Sequence, residues 1–161
     1  MPLMAFKDQL AQIFCTFTVM LKLKLDAIPT IHTERCVLRR IKKSDAGQLL
    51  RLRSDDRVME YIDREKMKSV EEAEVLIKKI RKSFKKEEGI FWAICLKDSN
   101  TMIGTIGPWR IMKENYRAEI GYTLMPEYWN KGLMTEAIKR VIDFCFNEIG
   151  LHSLEANCNP Q

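Results

Sequence analysis

The sequence predicts an α/β domain, of the α+β kind, with a mixed and mostly antiparallel sheet flanked by helices. Three observations support this. Three strand-like segments joined by short turns cover residues 90–124, which is typical of an antiparallel meander. Helix-like segments precede the meander, and a glycine-containing loop, a long helix and another strand-like segment follow it. The length of 161 residues fits one domain that can bury a sizeable core.

The composition is that of a folded protein and indicates no metal site. Hydrophobic residues make up 46% and charged residues 30% of the chain, far from the range of disordered proteins. The five cysteines are scattered without the close spacing of a zinc or dithiol site, and there are two histidines, so no metal is predicted. Reduced, buried cysteines favour a cytoplasmic location.

The net charge of +5 favours an anionic ligand through long-range attraction. Much of the charge lies between Arg64 and Lys86, where lysines and glutamates are interleaved. We interpret this segment as a solvated helix face, so nucleic acid is an unlikely partner, and a nucleic-acid patch is the alternative.

Residues 1–27 are predicted to be an N-terminal extension of unknown role, ahead of a domain over residues 28–161. The apolar run Ile13–Leu21 is too short to cross a bilayer and lacks a cleavage site, so no membrane partner is predicted; membrane attachment is the minor alternative. Alternation from Phe17 to Leu25 indicates a strand, but the spacing of earlier apolar residues also fits a helix. Both interpretations stay open.

Two helices are predicted before the meander, after a short strand over Cys36–Ile41. Ser44 and Asp45 supply an N-cap for the first helix. Ser69 and Glu72 form a capping box for the second, which Gly89 ends. The second helix is expected to bury a stripe made of Val75, Leu76, Ile80 and Phe84.

The meander consists of strands over Ile90–Lys97, Met102–Ile111 and Tyr116–Leu124. Along the third strand, period-two alternation places Glu119 on one face and Tyr122 on the other. Pro126 cannot donate to a neighbouring strand, so the sheet is predicted to open there.

A long helix follows from Gly132 to about Ile149, and Gly150 closes it. Its start is a candidate anion site, because unpaired N–H groups and the helix dipole favour negative charge and Gly132 presents no side chain. A further strand is predicted over Leu154–Cys158. The inward face of the helix is predicted to hold Ala137, Ile138, Val141, Ile142 and Cys145.

Several segments resemble the GNAT superfamily of N-acetyltransferases, and most closely its Rim-type branch of ribosomal-protein acetyltransferases. Residues 31–39 resemble the opening TERLxLR strand of that branch, and Ala118–Tyr122 resembles its AEIGY strand. Trp129–Ala137 is similar to the coenzyme A pyrophosphate loop WGKGYATEA, with Met134 in place of the usual small residue. The resemblance runs from Ile31 to Gln161 and implies a domain that lacks the family's last helix and strands.

The resemblance implies acetyl-CoA as co-substrate and a primary amine as acceptor, either a protein N-terminus or a small amine. Backbone amides of the loop would hold the diphosphate, and the end of the preceding strand would pair with the pantetheine arm. A homodimer is left open as a further partner. The implied cofactor-binding residues are Tyr122, Thr123, Leu124, Met125, Asn130, Lys131, Gly132, Leu133, Met134 and Thr135.

Acetyl transfer needs a neutral amine, so a general base is expected. Glu119 is the candidate, and an ion pair with Arg117 on the same face is the alternative interpretation of its carboxylate. Trp109 and Tyr122 are expected to shape the acceptor pocket, with ordinary packing as the alternative for Trp109. Cys145 is expected to pack in the core. An inactive remnant and an RNA- or ribosome-binding module are the competing functions.

Overall fold

The computed structural model describes residues 25–157. The predicted strand or helix before Leu25 and the end of the last predicted strand at Cys158 lie outside this range. The described helices are α1 (Ala46–Ser54), α2 (Asp56–Met59), α3 (Val70–Lys85) and α4 (Leu133–Asp143). The described strands are β1 (Ile31–His32), β2 (Cys36–Arg40), β3 (Trp92–Leu96), β4 (Met102–Met112), β5 (Arg117–Leu124) and β6 (Ser153–Glu155).

The six described strands form a single sheet whose spatial order is the same as their order in the chain. Neighbouring strands are antiparallel from β1 to β5, and β6 alone runs parallel to its neighbour β5. The parallel pair is possible because α4 provides the crossover that parallel neighbours need. The predicted mixed, mostly antiparallel α/β fold is therefore confirmed.

The two faces of the sheet bury different helices. Helix α4 packs against one face, which includes Leu38, Trp92 and Ile106. Helices α1 and α3 pack against the other face, where Ala93 and Cys95 point. Because successive side chains of a strand alternate between faces, β3 contributes to both cores.

Two side chains predicted to be buried are exposed. Val75 is exposed, because the buried row of α3 runs through Ala73 and Ile77 and Val75 lies outside it. Ile142 is exposed for the same reason, since it lies beside the row of α4 that passes through Val141. In each helix the predicted buried face was one residue too wide, so it included a side chain at the margin that faces solvent.

Asp45 precedes α1 as predicted, but its carboxylate does not cap that helix. It accepts two hydrogen bonds from the Arg39 guanidinium at 2.8 and 2.9 Å and one from the Lys42 N–H at 2.7 Å. Burial would raise the pKa of Asp45, but the bonds from Arg39 and Lys42 outweigh it and lower that pKa. Ser69 does cap α3, while Glu72 bonds to the Lys68 N–H, one residue earlier than the capping box predicts.

The C-terminal half of the long predicted helix departs from α-helical geometry. After α4, residues Phe144–Glu148 form a wider π-helical turn, and Gly150 closes the segment at φ 79° as predicted. The turn places the Phe144 ring edge-on against Trp92, with the ring centroids 5.3 Å apart. This aromatic contact fixes the end of the helix on the sheet.

Gly107 should be the least replaceable glycine of the sheet. A Cβ atom built there would lie 1.8 Å from the Ile90 carbonyl oxygen, which is backbone and cannot turn aside. We expect Gly107→Ala to lower the free energy of unfolding by about 3 kcal/mol or more, the range of severe overpacking. Gly47→Ala is the matched control, because nothing lies within 4 Å of its added Cβ in helix α1. Urea unfolding of both variants checks this, and an equal effect would contradict it.

Candidate active site

The outer edge of β5 is paired over only part of its length. On its inner edge β5 pairs with β4 as far as Leu124, and the Met125 N–H continues the ladder to the Ile103 carbonyl oxygen at 2.9 Å. On its outer edge β6 pairs only with residues 117–119. Within the described residues, the sheet is thus open on this side from Ile120 onwards, earlier than the opening predicted at Pro126.

The hydrogen-bond pattern between β4 and β5 determines which backbone groups of β5 face this opening. Hydrogen bonds to one neighbour alternate along an antiparallel strand, so if Met125 bonds to β4, Leu124 and Tyr122 point their N–H and C=O groups outwards. The outward Leu124 carbonyl accepts a 2.7 Å bond from the Trp129 indole N–H. The N–H of Leu124 and both backbone groups of Tyr122 have no described hydrogen-bond partner. The Met125 N–H is bonded to the Ile103 carbonyl and is therefore not available to a ligand.

A loop with two left-handed residues leads from this opening into α4. Pro126–Tyr128 forms a 3-10 turn, Asn130 has φ 57° and Gly132 has φ 72°. Among residues 25–157, no acceptor is found for any backbone N–H from Asn130 to Thr135, and the first helical bond starts at Glu136. A run of unpaired amides at a helix N-terminus is an anion-binding arrangement.

The first two side chains after Gly132 pack towards the core. Leu133 is buried and Met134 is half-buried against the core, whereas Lys131 and Thr135 are exposed. The helix start therefore presents mainly backbone N–H groups to a ligand, with the exposed Lys131 and Thr135 beside them. Met134, which replaces the usual small residue of the loop, packs against the core.

Arg35 joins the turn before β2 to this loop, a role that no local sequence pattern predicted. Its N–H and Nε donate to the two carboxylate oxygens of Glu136 at 2.7 and 2.9 Å, and its Nη1 donates to the Lys131 carbonyl at 2.9 Å. Its Nη2 lies 3.4 Å from where a Cβ atom on Gly132 would be. Arg35 therefore holds the loop and the first turn of α4 in register. No pattern in a single sequence could have linked residues that lie 101 positions apart.

Glu136 is strongly acidic in this arrangement. Burial by itself would raise its pKa, but hydrogen bonds from Thr33 and from the backbone and side chain of Arg35, with the Arg35 charge, lower the pKa to about 2. The carboxylate is thus ionised across the physiological range. The ionised Glu136 carboxylate is the negative partner in the ion pair with Arg35 that positions the loop.

Glu119 lies on the face of the sheet that also carries Trp109, its cross-strand partner on β4. Its carboxylate accepts a 2.9 Å hydrogen bond from Arg110 Nη1, and the Arg110 guanidinium lies 4.2 Å from the centre of the Trp109 ring. The ion pair with Arg117 considered from the sequence is not formed, since Arg117 pairs with Glu155. The left-handed conformation of Arg110, at φ 50°, is what aims its side chain at Glu119, and nothing in the sequence signalled it.

The two aromatic residues expected to shape an acceptor pocket are not brought together. The unbroken pairing of Gly107–Trp109 with Glu119–Gly121 puts Trp109 and Glu119 on one face, and alternation puts Tyr122 on the other. Tyr122 is 42% exposed on the face that α4 covers in part. Thr123 shares the Trp109 face, where its hydroxyl lies 2.8 Å from the Thr105 hydroxyl.

Cys145 and His152 have side chains that can act as nucleophile or base, and both lie away from this site. Cys145 is buried in the core, and burial raises the pKa of its thiol to about 12, which rules out a thiolate carrier at neutral pH. His152 stacks on Tyr116 with ring centroids 4.5 Å apart at the surface. No group of three or more metal-ligating side chains is found among residues 25–157. The helices of the described part are all too short or too polar to cross a membrane.

The Arg35–Glu136 link should make stability depend on pH in a specific window. Because the Glu136 pKa is about 2 in the fold and 4.5 for an ordinary glutamate, its stabilisation is complete above about pH 4.5 and is lost as the pH falls towards 2. We expect Glu136→Gln to lower the free energy of unfolding by about 1–2 kcal/mol at pH 7, because Arg35 is partly exposed and solvent screens the pair. Denaturant unfolding at pH 7 and at successively lower pH checks this.

The control is Glu127→Gln, whose carboxylate pairs with Arg51 at the exposed surface. We expect that variant to change stability by less than about 0.5 kcal/mol. A Glu136→Gln effect that stays constant from pH 7 to pH 2.5 would contradict the assignment.

Similarity to known proteins identifies the family. The family model described as acetyltransferase (GNAT) domain matches residues 35–161. The uncharacterised N-acetyltransferase YoaA of Bacillus subtilis (strain 168) is 35% identical over 128 residues, which are 80% of this chain and 72% of that protein.

Solved structures show the same fold. The GNAT-family acetyltransferase from Bacillus anthracis superposes with a TM-score of 0.70 at 27% identity, covering 82% of this chain and 75% of that chain. Mycobacterium smegmatis RimJ in complex with CoA-disulfide gives a TM-score of 0.75 at 21% identity, over 83% of this chain and 69% of that chain. With the open strand edge, the unpaired helix start and these matches, the chain belongs to the GNAT family of N-acetyltransferases.

Proposed function

We propose that this protein transfers an acetyl group from acetyl-CoA to a primary amine, with Glu119 as the general base. The observation that carries the proposal is the run of backbone N–H groups from Asn130 to Thr135 without a described acceptor, next to the open edge of β5. The helix start can bind an anionic group, and the strand edge beside it can pair with amide groups. Together they fit a ligand that has both an anionic end and an amide-containing arm.

The diphosphate of acetyl-CoA would be held by the amides from Asn130 to Thr135. These groups carry no net charge, but the helix dipole adds to them and the exposed Lys131 supplies positive charge nearby. The pantetheine arm would pair with the outward backbone groups of Tyr122 and Leu124, as an added strand pairs with a sheet edge. The CoA compound bound to the RimJ of similar fold supports this choice of ligand.

The reaction needs a neutral amine at the thioester. Acetyl-CoA supplies a thioester carbonyl carbon that the amine nitrogen attacks, and the carbon–sulfur bond then breaks to leave the CoA thiolate. Glu119 would accept the proton that the amine loses, directly or through a water molecule, and the thiolate would take a proton from solvent.

The acceptor we favour is a protein N-terminus, on the resemblance to the Rim-type branch and on the chemistry of the amine. An α-amino group with a pKa near 8 is about one fifth neutral at pH 7.4, whereas a lysine side chain is about 0.1% neutral. An α-amino group therefore needs less help from a carboxylate base to lose its proton than a lysine side chain does. The Rim-type resemblance points to an N-terminal serine or alanine of a ribosomal protein.

Acetyl-CoA should stabilise the folded protein. At 100 times its dissociation constant a ligand that binds only the native state adds about 2.7 kcal/mol to the free energy of unfolding. We therefore expect a clear rise in melting temperature with acetyl-CoA and none with pantothenate alone, which lacks the diphosphate. An amine panel that includes peptides beginning with serine or alanine then identifies the acceptor through acetyl-CoA consumption. No shift with acetyl-CoA, together with salt-dependent RNA binding, would favour the competing RNA-binding function.

Glu119→Gln should lower turnover by about 10²-fold or more and leave the affinity for acetyl-CoA nearly unchanged, because only the proton transfer is lost. The matched control is Glu114→Gln, since Glu114 is exposed in the turn before β5. Turnover is measured from CoA release across pH 6–9 and affinity by calorimetry. Equal turnover of Glu119→Gln and the parent protein at every pH would remove Glu119 from the mechanism.

A further inference from the structure

Arg110 covers the carboxylate proposed as the base. The Glu119 side chain is 13% exposed, whereas the Arg110 side chain that contacts it is 59% exposed. The contact with Glu119 is the only hydrogen bond of the Arg110 side chain in the described part of the chain. The Glu119 carboxylate is thus mostly shielded from solvent, and the exposed arginine beside it is held by this hydrogen bond and by its contact with the Trp109 ring.

The backbone is bent at this point to bring the arginine there. Arg110 has φ 50°, a left-handed conformation that is unfavourable for residues with a Cβ atom. It lies where the regular pairing of β4 with β5 is interrupted, between Trp109 and Met112. Irregularities of this kind in a strand often redirect a side chain beside an active site, and strain is retained where the function needs it.

The arginine makes the contacts that a small organic cation would make. Its guanidinium has the Glu119 carboxylate on one side and the Trp109 ring, 4.2 Å away, on the other. A carboxylate with an aromatic face beside it is a favourable site for ammonium and guanidinium groups. The ion pair is exposed on the arginine side, so the cost of exchanging one cation for another is small.

We propose that Arg110 occupies the place of the acceptor's ammonium group, so that a cationic acceptor binds between Glu119 and the Trp109 ring by displacing it. The proposal rests on the proposed function, since it takes Glu119 as the residue that receives the acceptor's proton. In the displaced state the ammonium group pairs with the base that will deprotonate it. The Arg110 side chain then acts as a specificity device: it is exchanged by cations, and neutral compounds do not displace it.

Arg110→Gly tests this without endangering the fold, because glycine adopts a φ of 50° readily. We expect its KM for the amine acceptor to fall by about tenfold, the scale of one partly exposed ion pair, with kcat and the KM for acetyl-CoA little changed. Methylguanidinium should inhibit competitively with the amine and not with acetyl-CoA, and more strongly in the variant. Arg117→Gln controls for the loss of one positive charge on the same face, because Arg117 pairs with Glu155 instead.

An unchanged or raised amine KM in Arg110→Gly would overturn the proposal, as would inhibition by methylguanidinium that does not compete with the amine. If the parent protein acetylates no amine, the proposed function is refuted, but the proposal for Arg110 can still be tested by measuring the binding of a cation. Propylammonium titrations followed by the Trp109 indole NMR signal should then show tighter binding to Arg110→Gly than to the parent. Equal binding to both proteins, or binding that survives in Arg110→Gly with Glu119→Gln, would refute it.

Discussion

A sheet has to satisfy the backbone groups of its edge strands or leave them to solvent and ligands, and this requirement shapes the whole molecule. Strand β5 pairs with β4 along most of its length, with one irregularity between Trp109 and Met112, and in the described residues it pairs with β6 only over residues 117–119. The same strand that closes one core beneath α4 therefore ends as an open edge. The loop that follows leads directly into a helix start whose amides have no partner among residues 25–157. The incomplete pairing of the outer edge of β5 is therefore what provides the binding surface.

The position of that helix start depends on residues far away in the chain. Arg35 precedes β2, yet it bonds to Glu136 in α4 and to the carbonyl of Lys131 in the loop. A backbone site works only if its amides are held in one arrangement before the ligand arrives. The charged link from Arg35 fixes the loop from outside, while Leu133 fixes it from the core. On the other face of the sheet, the core beneath α1 and α3 has a similar charged link in the Arg39–Asp45 pair.

Local patterns in the sequence predicted the elements well and the details of their faces less well. The strand–loop–helix segment, the cap at Ser69 and the glycine stop at Gly150 follow from short-range chemistry, which one sequence displays. Val75 and Ile142 were misplaced because apolar character alone does not define how wide a helix contact is. Arg110 and Arg35 were missed because their roles arise from a bent backbone and from a distant contact. Neither leaves a periodic signal in the chain.

The open edge of β5 has a consequence for how the protein behaves in concentrated solution. An unpaired stretch of strand can accept a strand from a neighbouring molecule as readily as it accepts a ligand, and natural proteins usually shield such stretches. Here the outward groups of Tyr122 and Leu124 stay unshielded in the described residues, apart from the Trp129 indole on one carbonyl. A ligand that pairs with them removes the template for edge-to-edge aggregation. Resistance to aggregation is in this way coupled to the occupancy of the site.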